Sequence, residues 1–381
     1  MSAPESLAAA AGSVLPPGGE PFAVLEGISP ARLRLWGLAL VGIGLAPVAG
    51  AFGYGFHDWP AFWSAGATVG TPDLLDPVRH TAWQRAHGLP EAFFPYPPGV
   101  AWLYAPFATL PLAAGFLVHG LAMLLAAAAA ALVGGRLYGV DRSVALLAVL
   151  GFAPVGASVV LGQNAPLGLL LYKPTYALPL AGLLLVRRRW VELAIAGGVA
   201  VGWYLAGLVA TAGDPAWPLA WLDGIRGYLA ADFAGNADKT VSLPGLLARL
   251  PVPGWVPVVA GAVVALAAVP VLARARPAEA GALACLVGVA VSPHAWGYDA
   301  ALAVPALLWL LGPGGRERVG EPWRTRLVLA AYLLAPLWLV SRQTVVSAVA
   351  VVVLGLVAVW LGVWFAGALR ARRVGRVGTA G

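Results

Sequence analysis

Charge is what this sequence has least of: Asp, Glu, Lys and Arg make up 11% of its 381 residues, against about 25% in soluble domains. That deficit excludes a soluble core of this size. Cysteine is nearly missing too. The one Cys285 lies inside an apolar run, which excludes a disulfide framework and a Cys-rich metal site. Lysine occurs only as Lys173 and Lys239, so the formal net charge of +7 rests on arginine. The arginines sit at the ends of apolar runs and form no single basic face, which excludes nucleic acid as a partner. No Gly-x-Gly-x-x-Gly or Walker pattern follows a strand-like run, and no three His, Cys or carboxylate residues have metal-ligand spacing. No cofactor is expected.

What is present is apolar. Hydrophobic residues account for 60% of the chain, in recurring runs of about 20, the length a helix needs to cross a bilayer. Backbone polar groups in lipid must bond internally, which leaves helices or a closed barrel. The Leu-, Ala- and Val-rich runs lack barrel alternation, so helices are expected. The expected fold is an all-α polytopic transmembrane bundle of about ten spans, with boundaries good to ~4 residues. The spans read as Leu35–Phe52, Leu110–Gly135, Ser143–Leu161, Leu167–Val186, Trp190–Ala212, Trp255–Ala273, Ala278–Val291, Ala295–Leu311, Leu327–Val340 and Thr344–Leu369. Tyr96–Thr109 reads as a further short helix at the interface. Residues 1–31 read as a disordered cytoplasmic tail without a cleavable signal peptide, 32–369 as the membrane domain and 370–381 as a basic cytoplasmic tail. The Ala, Gly, Val and Arg bias suits a GC-rich bacterial genome and hence a bacterial plasma membrane.

Arginine placement orients the bundle. With the N-terminus in the cytoplasm, the inner segments collect seventeen basic residues, among them Arg136, Arg142, Arg187, Arg188, Arg189, Arg274, Arg276, Arg316 and Arg318. The outer segments collect six: Arg79, Arg85, Arg226, Lys239, Arg249 and Arg342. This skew follows the positive-inside rule and puts both termini inside. Two outer loops are long, 53–97 and 213–254, and short interfacial helices are expected within them.

Polar residues able to do chemistry gather on that outer side. Asp58 follows the first span among Tyr54, Phe56, Trp59, Phe62 and Trp63. It reads either as the N-cap of a short helix starting near Pro60, with the aromatics as an interface belt, or as a carboxylate that takes a proton from a hydroxyl at a cavity mouth. Asp73 and Asp76 read as turn residues beside Pro72 and Pro77, and His57 as a loop residue. Tyr96-Pro97-Pro98 sets an extended approach and then a helix start, and could shape a substrate groove. Gly162-Gln163-Asn164 offers two amides that cap helix ends or bind sugar hydroxyls. Lys173-Pro174 lies about six residues into an apolar run, where a lysine snorkels outward or faces a phosphate. His294, Tyr298 and Asp299 cluster in the short loop SPHAWGYD, residues 292–299. His294 reads as an interface histidine or as a contact to a phosphate or sugar hydroxyl. Arg342 is a further phosphate candidate.

Taken in order, these motifs form a set: the aspartate after the first span, an aromatic stretch ending in L-x-D-P, Y-P-P, G-Q-N, K-P, R-R-W and S-P-H-x-W. The set resembles glycosyltransferase family 87, polyprenol-phosphate-mannose-dependent mannosyltransferases of the GT-C membrane superfamily, over roughly residues 35–345. The resemblance implies a GT-C-like membrane fold. It also implies inverting transfer of a hexose, usually mannose, from a polyprenyl-phosphate donor in the outer leaflet to a hydroxyl of a glycolipid or glycan acceptor. It makes Asp58 the base and carries the S-P-H histidine onto His294 and the K-P lysine onto Lys173; Gln163, Asn164, Tyr96, Trp63, Tyr298 and Arg342 stand beside them as candidate substrate contacts read from the residues themselves. The partners it implies are that donor, that acceptor and membrane lipid. The chain departs from the pattern in two places. Only nine residues separate Gln163 from Lys173, where the family has room for a helical hairpin, so that hairpin is expected to be absent. Leu74–Pro77 reads L-L-D-P where the family usually has L-Y-D-P. Two rivals remain on sequence alone: a lipid or solute transporter, and an inactive relative.

Overall fold

The computed structural model describes residues 30–45, 58–163, 174–236, 239–319, 321–332 and 342–377. Among them the chain is helical, and the sole β-type pairing is an isolated bridge between Thr240 and Trp296. The helices are α1 (Pro30–Leu45), α2 (Trp59–Ala67), α3 (Pro77–Ala86), α4 (Ala105–Ala108), α5 (Leu112–Tyr138), α6 (Arg142–Leu150), α7 (Ala153–Val160), α8 (Pro174–Val186), α9 (Trp190–Ala210), α10 (Trp217–Asn236), α11 (Leu243–Leu247), α12 (Trp255–Arg274), α13 (Pro277–Val291), α14 (Val304–Leu311), α15 (Pro313–Val319), α16 (Glu321–Tyr332) and α17 (Arg342–Val377). Short 3-10 turns occupy Pro72–Leu74, Pro98–Leu103 and Gly297–Ala303.

Among the described residues, α5, α9, α12 and the Val349–Gly367 part of α17 are long and apolar enough to cross a membrane; α6 and α7 make a fifth if the bent pair counts as one span. The expectation of about ten spans is therefore carried only in its coarser form, several apolar helices. α13 and the Gly297–Leu311 stretch are apolar but shorter. The helices α5, α9 and α12 each expose large apolar residues, among them Leu121, Leu125, Ile195, Val201, Val258 and Leu266, of the kind lipid stabilises.

Three expected elements are divided, each at glycine or proline. Ser143–Leu161 is no single helix: α6 and α7 meet at a 56° bend. Gly151 and Phe152 form the break, and Pro154 in the first turn of α7 supplies no N–H to continue the ladder. Ala295–Leu311 splits into the 3-10 turn Gly297–Ala303 and α14, which starts at Val304-Pro305. Tyr96–Thr109 becomes the 3-10 turn Pro98–Leu103 followed by α4, with Pro98 and Pro106 at the two starts. The expected spans 35–52, 167–186 and 327–340 lie partly outside the described residues. Both long loops do carry helices, α2 and α3 in the first, α10 and α11 in the second. Asp76 and Asp141 act as N-caps, each accepting two backbone N–H groups at the start of α3 and α6. α5 ends at Gly139, whose φ of 67° is the left-handed C-terminal conformation glycine favours.

The core centres on α13, which buries residues on every side, including Leu283, Leu286, Val289 and Ala290. α14 packs beside it, and Trp309 stacks on Trp360 of α17 at 4.1 Å. A second, aromatic cluster joins α2 to the 94–116 segment through Trp59, Phe62, Phe94, Tyr96, Tyr104 and Phe116.

The two ends of α13 differ in kind. At its start, Arg276 meets Glu317 at 3.5 Å and Arg318 meets Glu279 at 4.0 Å. Arg187 donates to the carbonyls of Leu272 and Ala275 where α12 ends, the position that favours a cation. Arg187, Arg276 and Arg318, three of the seventeen basic residues assigned to the inner face, thus meet at this end of α13. The loop carrying His294 leaves the other end, about 22 Å along the helix axis at 1.5 Å per residue.

Candidate active site

Asp58 precedes the first residue of α2 but does not cap it. Its backbone is in the right-handed helical region and its side chain bonds no N–H of the helix. The capping expectation fails because the carboxylate points elsewhere: Oδ2 accepts from Gln163 Nε2 at 2.7 Å. A carboxylate only accepts, so the Gln163 amide must turn its nitrogen toward Asp58. The Gln163 oxygen then accepts from the Tyr96 hydroxyl at 3.2 Å. Gln163 and Tyr96 are buried, while Asp58 stays exposed. Three residues singled out from separate motifs therefore form one hydrogen-bonded chain with a water-accessible carboxylate at its end.

The elements around this chain are held tightly. Trp59 is fully buried, and its Nε1 donates to the Leu112 carbonyl at 2.9 Å. Trp63 donates to the Leu110 carbonyl at 3.0 Å, so its indole N–H serves to anchor α2 to the start of α5. Gly162 adopts φ +70°, and a Cβ there would lie 3.0 Å from the Trp59 Cβ. Only glycine lets the Gly162-Gln163 turn sit this close to α2 in that conformation.

The second loop assembles independently. Thr240 pairs with Trp296, and the Val241 N–H donates to the Ala295 carbonyl at 2.8 Å. The Trp296 N–H donates to Asp299 Oδ2 at 2.8 Å. Trp296 Nε1 donates to His294 Nε2. Indole nitrogen only donates, so His294 Nε2 accepts, which places the ring proton on Nδ1. The Trp296 ring stacks over Tyr298 at 6.5 Å with Lys239 Nζ 5.5 Å from its centroid.

Ser158, fully buried in α7, joins the two clusters. Its carbonyl accepts the Gln163 N–H at 2.7 Å, and its hydroxyl lies 3.4 Å from the Tyr298 carbonyl while donating to Pro154. Sequence reasoning missed Ser158, Thr240 and Lys239, because nothing local marks a serine in an apolar helix or a loop that pairs with another loop. It also missed His119 on α5. That ring is buried between Trp59 and Phe107, at 4.8 and 5.4 Å, and neither nitrogen has a hydrogen-bond partner. A histidine in a spanning run is itself a signal. Asn164, Lys173 and His57 lie outside the described residues, as does the expected gap between Gln163 and Lys173. Arg342 begins α17, but its side chain also lies outside them. Among the described residues no three His, Cys, Asp or Glu side chains group as metal ligands.

Beneath the first cluster, His80 Nε2 lies 2.9 Å from Ser64 Oγ, and Gln84 Nε2 donates to the same oxygen and to the Ala92 carbonyl. Burial, only partly offset by Asp73, holds the His80 pKa below its ordinary 6.5. The sign follows from linkage. The unfolded ring takes up a proton more readily, so the stability it contributes is present above about pH 6.5 and is lost as pH falls. Thermal unfolding of the wild type should drop between pH 7 and 5 more than that of His80→Gln; equal slopes would remove His80 as the cause.

Residues 165–293 match glycosyltransferase family 87. This covers about a third of the chain and is narrower than the 35–345 stretch over which the ordered motifs run. The family 87 match includes Lys173 and ends at Pro293, one residue before His294. Asp58, Tyr96 and Gln163 precede it. Comparisons with curated proteins and with solved structures found no match.

Proposed function

We propose that the chain is a membrane glycosyltransferase of family 87 that moves a hexose, mannose by the resemblance, from a polyprenyl-phosphate donor to a hydroxyl of a glycolipid or glycan. The observation that carries this is the junction at Ser158. It joins the exposed Asp58 carboxylate, which lies outside the family match, to the loop at which the match ends. A base and a phosphate-binding loop on one end of the bundle are what direct displacement at a sugar carbon needs.

In this reading the acceptor hydroxyl approaches Asp58, whose free lone pairs take its proton as the oxygen bonds to the anomeric carbon. The bond from that carbon to the donor phosphate breaks on the opposite side, with inversion. Gln163 and Tyr96 fix the carboxylate in place. His294, through its Nδ1–H, and Lys173 stabilise the departing phosphate. Following the positive-inside rule, the end of the bundle bearing Arg187, Arg276 and Arg318 faces the cytoplasm of a bacterial plasma membrane, with both termini on that side. The active site then faces outward, and about ten spans complete the bundle.

The test uses membranes from cells expressing the chain, incubated with labelled polyprenyl-phosphate mannose, glucose or arabinose and a lipid acceptor extract. Label should pass from one donor into a new glycolipid or glycan. A folded chain that transfers none of the three, yet carries lipid or solute across liposomes, overturns the proposal in favour of transport.

A further inference from the structure

The bundle end where α12 finishes and α13 starts, opposite the candidate site, holds more positive charge than its acids balance. α12 packs against both α8 and α17, and its last turn is where the three meet. Arg187, in the turn after α8, donates to the carbonyls of Leu272 and Ala275. Arg274, one residue before Ala275, is exposed and lays its guanidinium over the Trp364 ring of α17, 6.0 Å from the centroid. Arg188, next in the α8 turn, is exposed and held at φ 53°, a conformation that glycine adopts freely and other residues adopt at a cost. The turn is fixed all the same: the N–H groups of Arg188 and Arg189 donate to the Leu185 and Leu184 carbonyls at 3.0 and 2.9 Å. Two exposed arginines from different helices are thus set beside the bonds that dock the α8 turn on α12.

The acids of this end are committed elsewhere. Glu192 pairs with Arg189, Glu317 with Arg276, and Glu279 with Arg318 while accepting from Trp360 Nε1. Among the described residues neither Arg188 nor Arg274 pairs with a carboxylate. Helix α17 adds to the excess. It runs on past Gly367, the last residue of its apolar span, to Val377, about 15 Å at 1.5 Å per residue. That continuation contains Arg370, Arg372, Arg373 and Arg376 and no acid. What flanks the two exposed cations is apolar. Leu185 and Val186 end α8 with exposed side chains, and Phe365, edge-on to Trp364 at 5.2 Å, is exposed on α17. A soluble anion gains nothing from these side chains. A phospholipid gains from both, with its phosphate at the guanidinium groups and its chains on the apolar surface below.

We propose that the junction of α8, α12 and α17 binds an anionic glycerophospholipid, with Arg188 and Arg274 on its phosphate. The arginines after Gly367 raise the concentration of such lipids in the same leaflet. The bound lipid bridges the helices and stabilises their junction. The inference needs the bundle to cross a membrane and is independent of the transferase reading.

The experiment uses the full chain in phosphatidylcholine nanodiscs with and without phosphatidylglycerol. It reads thermal unfolding and, after extraction in mild detergent, retained lipid by native mass spectrometry. Phosphatidylglycerol should raise the unfolding temperature and stay bound where phosphatidylcholine does not. Arg188→Gly removes a charge where glycine suits the backbone. Unfolding in pure phosphatidylcholine should therefore not fall, while phosphatidylglycerol retention should drop about fivefold. Arg274→Gln should lower retention similarly, and Arg274→Lys should restore most of it. Arg142→Gln is the control. Arg142 is exposed on α6 at the same end, just after Tyr138, whose hydroxyl donates to the Ala278 carbonyl at the start of α13; its loss should leave retention as in the wild type. Unchanged retention in the double variant Arg188→Gly, Arg274→Gln overturns the proposal. So does an equal loss in Arg142→Gln, which would mean diffuse charge at this end and no site. Displacement of the lipid by glycerol phosphate, which has the head without the chains, overturns it in favour of a soluble anion.

Discussion

Asp58→Asn is expected to lower sugar transfer by about 10²–10⁴-fold, the range general base catalysis contributes. That equals roughly 3–5 kcal/mol of transition-state stabilisation at 1.36 kcal/mol per tenfold. The substitution is informative because it spares the structure. The amide oxygen it introduces can still accept from Gln163 Nε2, which lies 2.7 Å from Asp58 Oδ2 in the wild type, so the chain from Tyr96 through Gln163 stays bonded. What is lost is the capacity to take a proton. Unfolding temperature should therefore change little while kcat collapses. Gln163→Leu provides the complement: the carboxylate stays but loses its anchor, so the loss should be smaller and should fall on kcat as positioning is relaxed. Wild-type transfer rates in Asp58→Asn would remove this residue from the chemistry.

How far the sequence disclosed this arrangement depends on the distance over which each feature is determined. Helices α5, α9, α12 and α13 follow their sequence boundaries within a few residues, because their limits are set locally. Pro111 precedes α5 and Gly139 closes it, Gly254 precedes α12, and Pro277 opens α13. The bend between α6 and α7 was hidden because apolar composition runs through Gly151 and Pro154 unbroken, and hydropathy averages over such breaks. Asp58, Gln163 and Tyr96 were each singled out alone, yet their hydrogen bonds span 105 and 67 residues. No local pattern shows such a pairing. His294 shows the opposite limit. Its loop was visible, but the bond by which its Nε2 accepts from Trp296, two residues away, was not. The capping alternative for Asp58 failed for a related reason: a tertiary partner outcompeted the local N–H groups that a capping rule counts.

Gly162→Val should be the most damaging single change at the site apart from the loss of the base, and the damage should appear in both stability and activity. At φ +70° a residue other than glycine costs about 1–2 kcal/mol, and a β-branched one more. The added Cβ would meet Trp59 Cβ at 3.0 Å and Trp59 Cα at 3.3 Å. Trp59 cannot yield easily. It is fully buried, its indole is bonded to Leu112, and Tyr104, Phe107 and Phe116 ring it at 6.2–6.3 Å. The strain must therefore move the turn, adding to a total loss of about 2–4 kcal/mol, within the range for overpacking plus backbone strain. Moving the turn withdraws Gln163 from Asp58, so activity should fall by at least the amount seen in Gln163→Leu. In the double variant Gly162→Val, Gln163→Leu the activity losses should not add, because both act through one hydrogen bond. Thermal unfolding in detergent and transfer kinetics on the three variants settle it. Additive losses, or a Gly162→Val chain as stable and active as the wild type, would show that the close approach of this turn to Trp59 does not set the position of the carboxylate.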